Sequence, residues 1–152
     1  MTSFRSKLYP TSTNKVRVVQ ESSMQYYAGL NVLIMLYVIA AISTGDFSFN
    51  LLWQVVIMEV IAVGLGNMLG RARLHRNYAE IFFVGDHFSL ISVYEVVTER
   101  KNHAFPMMYA SPSMNPEGDQ LTFHFNDQVI TLRRKDWEEF DLIADYMFAR
   151  FL

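Results

Sequence analysis

The side chains able to carry chemistry are few and scattered. The four histidines, His75, His87, His103 and His124, show no paired spacing on one helix or strand, the arrangement that delivers two imidazoles to one metal. Cysteine is absent, which excludes disulfides, thiolate metal sites and cysteine nucleophiles and fits a reducing compartment. The chain contains no glycine-rich phosphate loop, no nucleophile elbow and no Ser-His-Asp order with a supporting context. Asp136 with Glu139 reads as helix capping, and Glu138, Asp141 and Asp145 read as the solvated face of the same helix. The triplet Arg133-Arg134-Lys135 either binds an anionic headgroup, as basic loops do, or pairs with the acids beside it. No catalytic residue, metal or cofactor is expected. One carboxylate stands apart, Glu59, because it sits in the middle of an apolar run.

That run belongs to a larger imbalance. Charged residues make up 18% of the 152-residue chain, against about 25% in an ordinary soluble domain. The deficit lies in one place: between Tyr26 and Gly70 the only charges are Asp46 and Glu59. Two apolar stretches, 26–43 and 51–69, would be about 27–29 Å long as helices, close to the ~30 Å hydrocarbon core of a bilayer. A short segment containing Gly45-Asp46 and no basic residue joins them. Lys15, Arg17, Arg71, Arg73 and Arg76 lie outside the two other ends, which by the positive-inside rule predicts both termini in the cytoplasm. Tyr26, Tyr27, Phe47, Phe49 and Trp53 fall where interfacial aromatic anchors belong. The competing reading is a helical hairpin buried in a soluble core. No signal peptide is expected in residues 1–25, which lack an apolar core with a small-residue cleavage site.

The second apolar run has a distinct face. Ala62, Gly66 and Gly70 follow a small-xxx-small spacing, with Glu59 on the same stripe. Small residues let helices approach closely where lipid supplies no hydrophobic drive. A carboxyl group at mid-bilayer costs roughly 2.5–3.5 kcal/mol even on permissive scales, so Glu59 should face protein, protonated or hydrogen-bonded. An antiparallel hairpin is expected to set Tyr37 level with Glu59, and Asn31 level with Asn67. The stripe then has three possible uses: satisfaction within the hairpin, docking onto another subunit, or an ion relay through Glu59. The last requires oligomerisation, because two helices enclose no path.

Beyond residue 71 the pattern changes to period two. Strands are predicted over 78–84 and 87–97 about a Gly85-Asp86 turn, over 104–110 with Pro106 confining it to an edge, and over 121–125 and 128–132 about Asn126-Asp127. Segments 98–103 and 111–120 read as loops. Asp136 is expected to cap a terminal helix whose apolar stripe is Trp137, Phe140, Ala144, Met147, Phe148 and Phe151. Residues 77–152 carry a net charge of −6 with no basic stripe, which argues against nucleic acid as a partner. It would also hold the domain off an anionic bilayer.

A membrane hairpin (26–70) after an N-terminal segment (1–25), then an antiparallel α+β sheet domain (71–152) closed by one amphipathic helix, resembles bacterial membrane proteins with a pleckstrin-homology-like domain. The residues carrying the likeness are Ile81 to Val97, Phe105-Pro106-Met107, and Leu121 to Leu132 running into the Trp137–Phe151 helix. About five strands are legible here, against seven in that family. The resemblance implies a multi-pass protein of the bacterial inner membrane that works as a tethered binding or assembly module and carries over no catalytic residue. The expected function is a non-enzymatic accessory subunit of a membrane complex, in contact with lipid and other integral subunits. A free-standing module binding peptide or lipid headgroup is the alternative.

Overall fold

The computed structural model describes residues 2–11, 14–45, 48–99, 105–106, 110–125 and 128–150. The chain forms two compact units: residues 14–74, and residues 1–13 together with 75–152. This division differs from the expected boundaries at 25 and 70, because the first residues fold with the sheet domain and the helices run past the apolar stretches.

The first unit is a helical hairpin of α1 (Lys15–Ser43) and α2 (Phe49–Arg76), the last two residues of α2, His75 and Arg76, belonging to the second unit. Asn14 caps α1, its Oδ1 accepting from the Val16 and Arg17 backbone N–H groups at 3.1 and 3.3 Å, which satisfies donors the first turn leaves orphaned. Thr44 closes α1 by donating its N–H to Ala40 O, and Gly45, at φ +78°, turns the chain in a conformation that suits a residue without Cβ. Asp46, read as the turn residue, lies outside the described residues. Both helices are long and apolar enough to cross a membrane, and only 6% and 17% of their apolar windows are buried. That exposure is opposite to what a core hairpin of a soluble domain shows.

Among the described residues the second unit holds seven strands. β1 (Thr2–Arg5), β2 (Tyr78–Val84), β3 (His87–Ser92) and β4 (Phe105–Pro106) form one antiparallel sheet in that order. β5 (Ala110–Met114), β6 (Gln120–Phe125) and β7 (Gln128–Arg133) form another. β1 pairs with β2 across the whole hairpin, Phe4 opposite Ile81 and Arg5 opposite Glu80. Ser6 extends the join, donating its N–H to Ala79 O and its hydroxyl to Tyr78 O, both at 2.8 Å. Alternation works as the pattern predicts along β2, which buries Ala79, Ile81 and Phe83. Both sheets and α4 (Phe140–Phe148) share one core that includes Phe4, Ile81, Phe88, Leu121, Phe123, Leu132, Phe140, Ile143 and Met147.

Three segments differ from the sequence reading. The strand predicted over 87–97 ends at Ser92, and Val93–Thr98 is a short helix, α3. A reciprocal capping box decides this: Ser92 Oγ accepts the Glu95 N–H while Glu95 Oε2 accepts the Ser92 N–H at 2.8 Å, satisfying two orphan donors. The loop predicted over 111–120 contains β5, whose Pro112 is tolerated because β5 is an edge strand. Asn115 then makes the turn, its Oδ1 accepting from the Asp119 and Gln120 N–H groups. The terminal helix starts later than expected. Residues Arg134–Asp136 form a 3-10 turn, and Trp137 is extended, buried and bridged to Ser6, so helix begins at Phe140. The central part of the strand predicted over 104–110, the Asn126-Asp127 turn and Phe151 lie outside the described residues.

Phe4 is 5% exposed and meets the rings of Phe83 and Tyr146 at 6.0 and 5.8 Å. Phe4→Ala is therefore expected to cost the sheet unit about 3–5 kcal/mol, read as a lower urea midpoint of the full chain in detergent. The exposed Val129→Ala should leave the midpoint within about 0.5 kcal/mol of the parent.

Candidate functional site

Within the hairpin, Glu59 is the hub of a polar cluster. Its Oε2 accepts from Tyr27 Oη at 3.0 Å and from Asn31 Nδ2 at 3.3 Å. Tyr27 and Asn31 are one turn apart on α1, so both donors lie on one face. One turn spacing also governs the rest of the interface. Val19 and Ser23 are buried on α1, and Ala62, Gly66, Gly70 and Leu74 are buried on α2, each four residues from the next. A Cβ on Gly66 would lie 3.4 Å from Tyr27 Cβ, and one on Gly70 would fall on Ser23 Oγ and 2.9 Å from Ser23 Cα. Ser22 Oγ donates to Gly70 O at 3.1 Å. The small-residue stripe thus packs against α1 of the same chain, which is the first of the three uses open to it.

The expected levels shift by more than a turn. Tyr37 meets Gln54, not Glu59, donating to its Oε1 at 2.6 Å. Asn31 meets Glu59, not Asn67; Asn67 instead lines a cleft of about 540 Å³ with Tyr27, Met24, Val63 and Gly66. Asn31 and Tyr37 are six residues apart, so the level of Glu59 is displaced by about 9 Å from the expected one. The short connection between Ser43 and Phe49 fixes the inner ends, and levels must be counted from there. From sequence Tyr27 reads only as an interfacial anchor. The signal for its second role is the Tyr27-xxx-Asn31 pair, two donors on one apolar face facing a helix with one acceptor.

Of the basic collar, Arg73 Nη1 donates to Gln25 Oε1 at 2.6 Å, Arg71 is exposed, and Arg76 closes α2. His75 lies against Tyr94 with ring centroids 4.0 Å apart and the rings tilted by 32°. Among the described residues no three His, Asp or Glu side chains gather into a metal-binding group.

Arg133, Arg134 and Lys135 together line a cavity of about 550 Å³ with Asp119 and Gln120. Arg134 makes a two-pronged ion pair with Asp141 at 2.8 and 2.6 Å, donates from Nε to Gly118 O, and lies over the Phe140 ring. The hydrogen bonds from Arg134 hold the Asp141 carboxyl below the usual carboxylate range, although an exposed pair of this kind adds little stability. Arg133 also lines a cavity of about 250 Å³ within the sheet unit, together with Arg76, Asn77, Tyr78, Asp136 and Trp137. Burial, and secondarily the negative charge of Glu95, raises the Tyr78 hydroxyl above its ordinary value.

No protein-family model, curated protein or solved structure matches the chain.

Two tests follow from this geometry. Gly70→Ala should cost the hairpin about 1–3 kcal/mol, since backbone must move. Gly66→Ala should cost less, and Gly64→Ala, which meets nothing within 4 Å, should be neutral or mildly stabilising; thermal melts in detergent rank the three. The folded chain keeps Tyr78 neutral to higher pH than the unfolded chain does, where it ionises near 10.0. Its contribution is therefore whole below that pH and is lost as pH rises above it. Urea midpoints between pH 9 and 11 should fall less steeply in Tyr78→Phe than in the parent.

Proposed function

We propose that this chain is a two-span membrane protein of the bacterial inner membrane that acts without catalysis, as an accessory or assembly subunit of a larger membrane complex. One observation carries the reading. The polar groups of the hairpin, Glu59, Tyr27, Asn31, Tyr37 and Gln54, bond to one another across the helix pair, while its outward residues, such as Leu33, Leu36, Ile39, Trp53, Ile57, Val60 and Met68, are apolar and exposed. A helix pair that is satisfied inside and greasy outside needs lipid or other helices around it.

The β1–β2 pairing supports the topology. It joins the residues before α1 to those after α2, so a membrane-crossing hairpin would have both outer ends on one side, and the flanking Lys15, Arg17, Arg71, Arg73 and Arg76 favour the cytoplasm for that side by the positive-inside rule. The sheet unit has four and three antiparallel strands on one core with a C-terminal helix, in keeping with a pleckstrin-homology-like module that braces a partner.

Two measurements test this. The chain lacks cysteine, so single cysteines at Thr44 and Ser113 report topology. The first should react with a membrane-impermeant maleimide on intact spheroplasts, the second only after lysis. Gentle solubilisation followed by native sizing should then show co-migration with a stoichiometric partner. A lone species near 17.7 kDa plus its micelle would overturn the subunit reading and leave a free-standing tethered module.

A further inference from the structure

We propose that the cavity lined by Arg76 and Arg133 is a phosphate-group site that seats the headgroup of an anionic phospholipid. The charge inventory points there. Arg5, Arg17, Arg134 and Arg150 are ion-paired, and Arg73 is bonded to Gln25. Among the arginines of the described residues that leaves Arg71, Arg76 and Arg133 without a carboxylate or amide partner, and two of these three line the same cavity; Lys7, Lys15 and Lys135 do not line it. They come from distant points of the chain, the last residue of α2 and the last residue of β7.

Two arginines lining one space, Arg133 of them also lining the neighbouring cavity, suit a phosphate, whose oxygens accept charge-assisted hydrogen bonds in pairs. Asn77 adds a neutral amide to the lining, and Leu8 and Trp137 an apolar wall. Asp136 also lines the cavity, so the lining side chains sum to one positive charge. That suits a singly charged phosphodiester better than a more highly charged anion.

The assignment to lipid, which rests on the hairpin crossing a membrane, comes from placement. Arg76 ends the helix whose apolar run stops at Leu69, about 10 Å farther along the axis, within an arginine's reach of headgroup phosphates. The acidic remainder of the domain does not oppose this, since exposed charges more than about 8 Å away are largely screened.

Trp137 provides the readout. The chain has two tryptophans, and the outward-facing Trp53 can be changed to Phe, leaving Trp137 in the cavity wall as the sole indole. The full-length Trp53→Phe chain is placed in phosphatidylcholine nanodiscs containing increasing fractions of phosphatidylglycerol. Trp137 emission should change saturably. Arg133→Gln and Arg76→Gln should each move the midpoint to about tenfold higher anionic fraction. Arg71→Gln removes an equal charge outside the cavity and should leave the midpoint within about twofold. Equal shifts in all three variants would reduce the effect to bulk attraction and overturn the site. A response to inorganic phosphate in pure phosphatidylcholine discs would overturn the lipid assignment. A chain that enters the discs with Trp137 silent refutes this inference alone. A chain that fails to enter them refutes the spanning hairpin, and the lipid source with it.

Discussion

An ionisable carboxyl on a helix face that packs against another helix needs hydrogen-bond donors from the protein, because burying it unpaired is costly. Glu59 finds two, Tyr27 and Asn31, on the facing helix. That requirement orients both helices about their axes, since the acceptor and the donors must face inward together. Close approach then follows from the residues on the same stripe: with Ala62, Gly66 and Gly70 turned toward α1, backbone meets backbone near Ser22 and Ser23. What remains outward is apolar by elimination. Sidedness, packing distance and surface character thus derive from one carboxylate and its partners.

The sheet unit solves a different problem, how to build a core from a chain interrupted by sixty residues of helix. Phe4 reaches the core from β1, packs on Phe83 and Tyr146, and is covered by the same cluster that α4 closes. Ser6 and Trp137 tie the end of β1 to the segment before α4, so the residues preceding the hairpin touch both the start and the finish of the domain. The cavity with Arg76 and Arg133 opens beside that junction.

Long or strongly periodic features were legible from sequence. The hairpin announced itself by charge depletion, and β2, β6 and β7 by alternation of apolar and polar residues. β1 was not legible, because Thr-Ser-Phe-Arg is too short for a period and its partner lies beyond the hairpin. α3 was hidden by Val and Tyr, residues of high strand propensity, although the Ser92-xxx-Glu95 spacing contained the capping signal that prevails. β5 was masked by Pro112, which is harmless only at an edge, and edge position is a property of the finished sheet. The helix start at Asp136 failed because Trp137 is held extended by its bridge to Ser6, a tertiary contact. Of the candidate site, Glu59 and the small-residue stripe could be read from spacing. Which residues they meet could not, since the register depends on how tightly the turn is made.

The β1–β2 pairing also sets an order of events during synthesis. Arg5 and Glu80 are 75 positions apart, and at about 5–20 residues per second several seconds pass between the appearance of one strand and the other. Throughout that interval both helices emerge, while β1 has no sheet to join. A long apolar strand left waiting would invite stray pairing. β1 has four residues, one of them arginine, and a single buried side chain, features that make an edge a poor template for stray pairing. Its shortness, which made it invisible to pattern reading, also keeps it from presenting a long unpaired edge while the rest of the chain is being made.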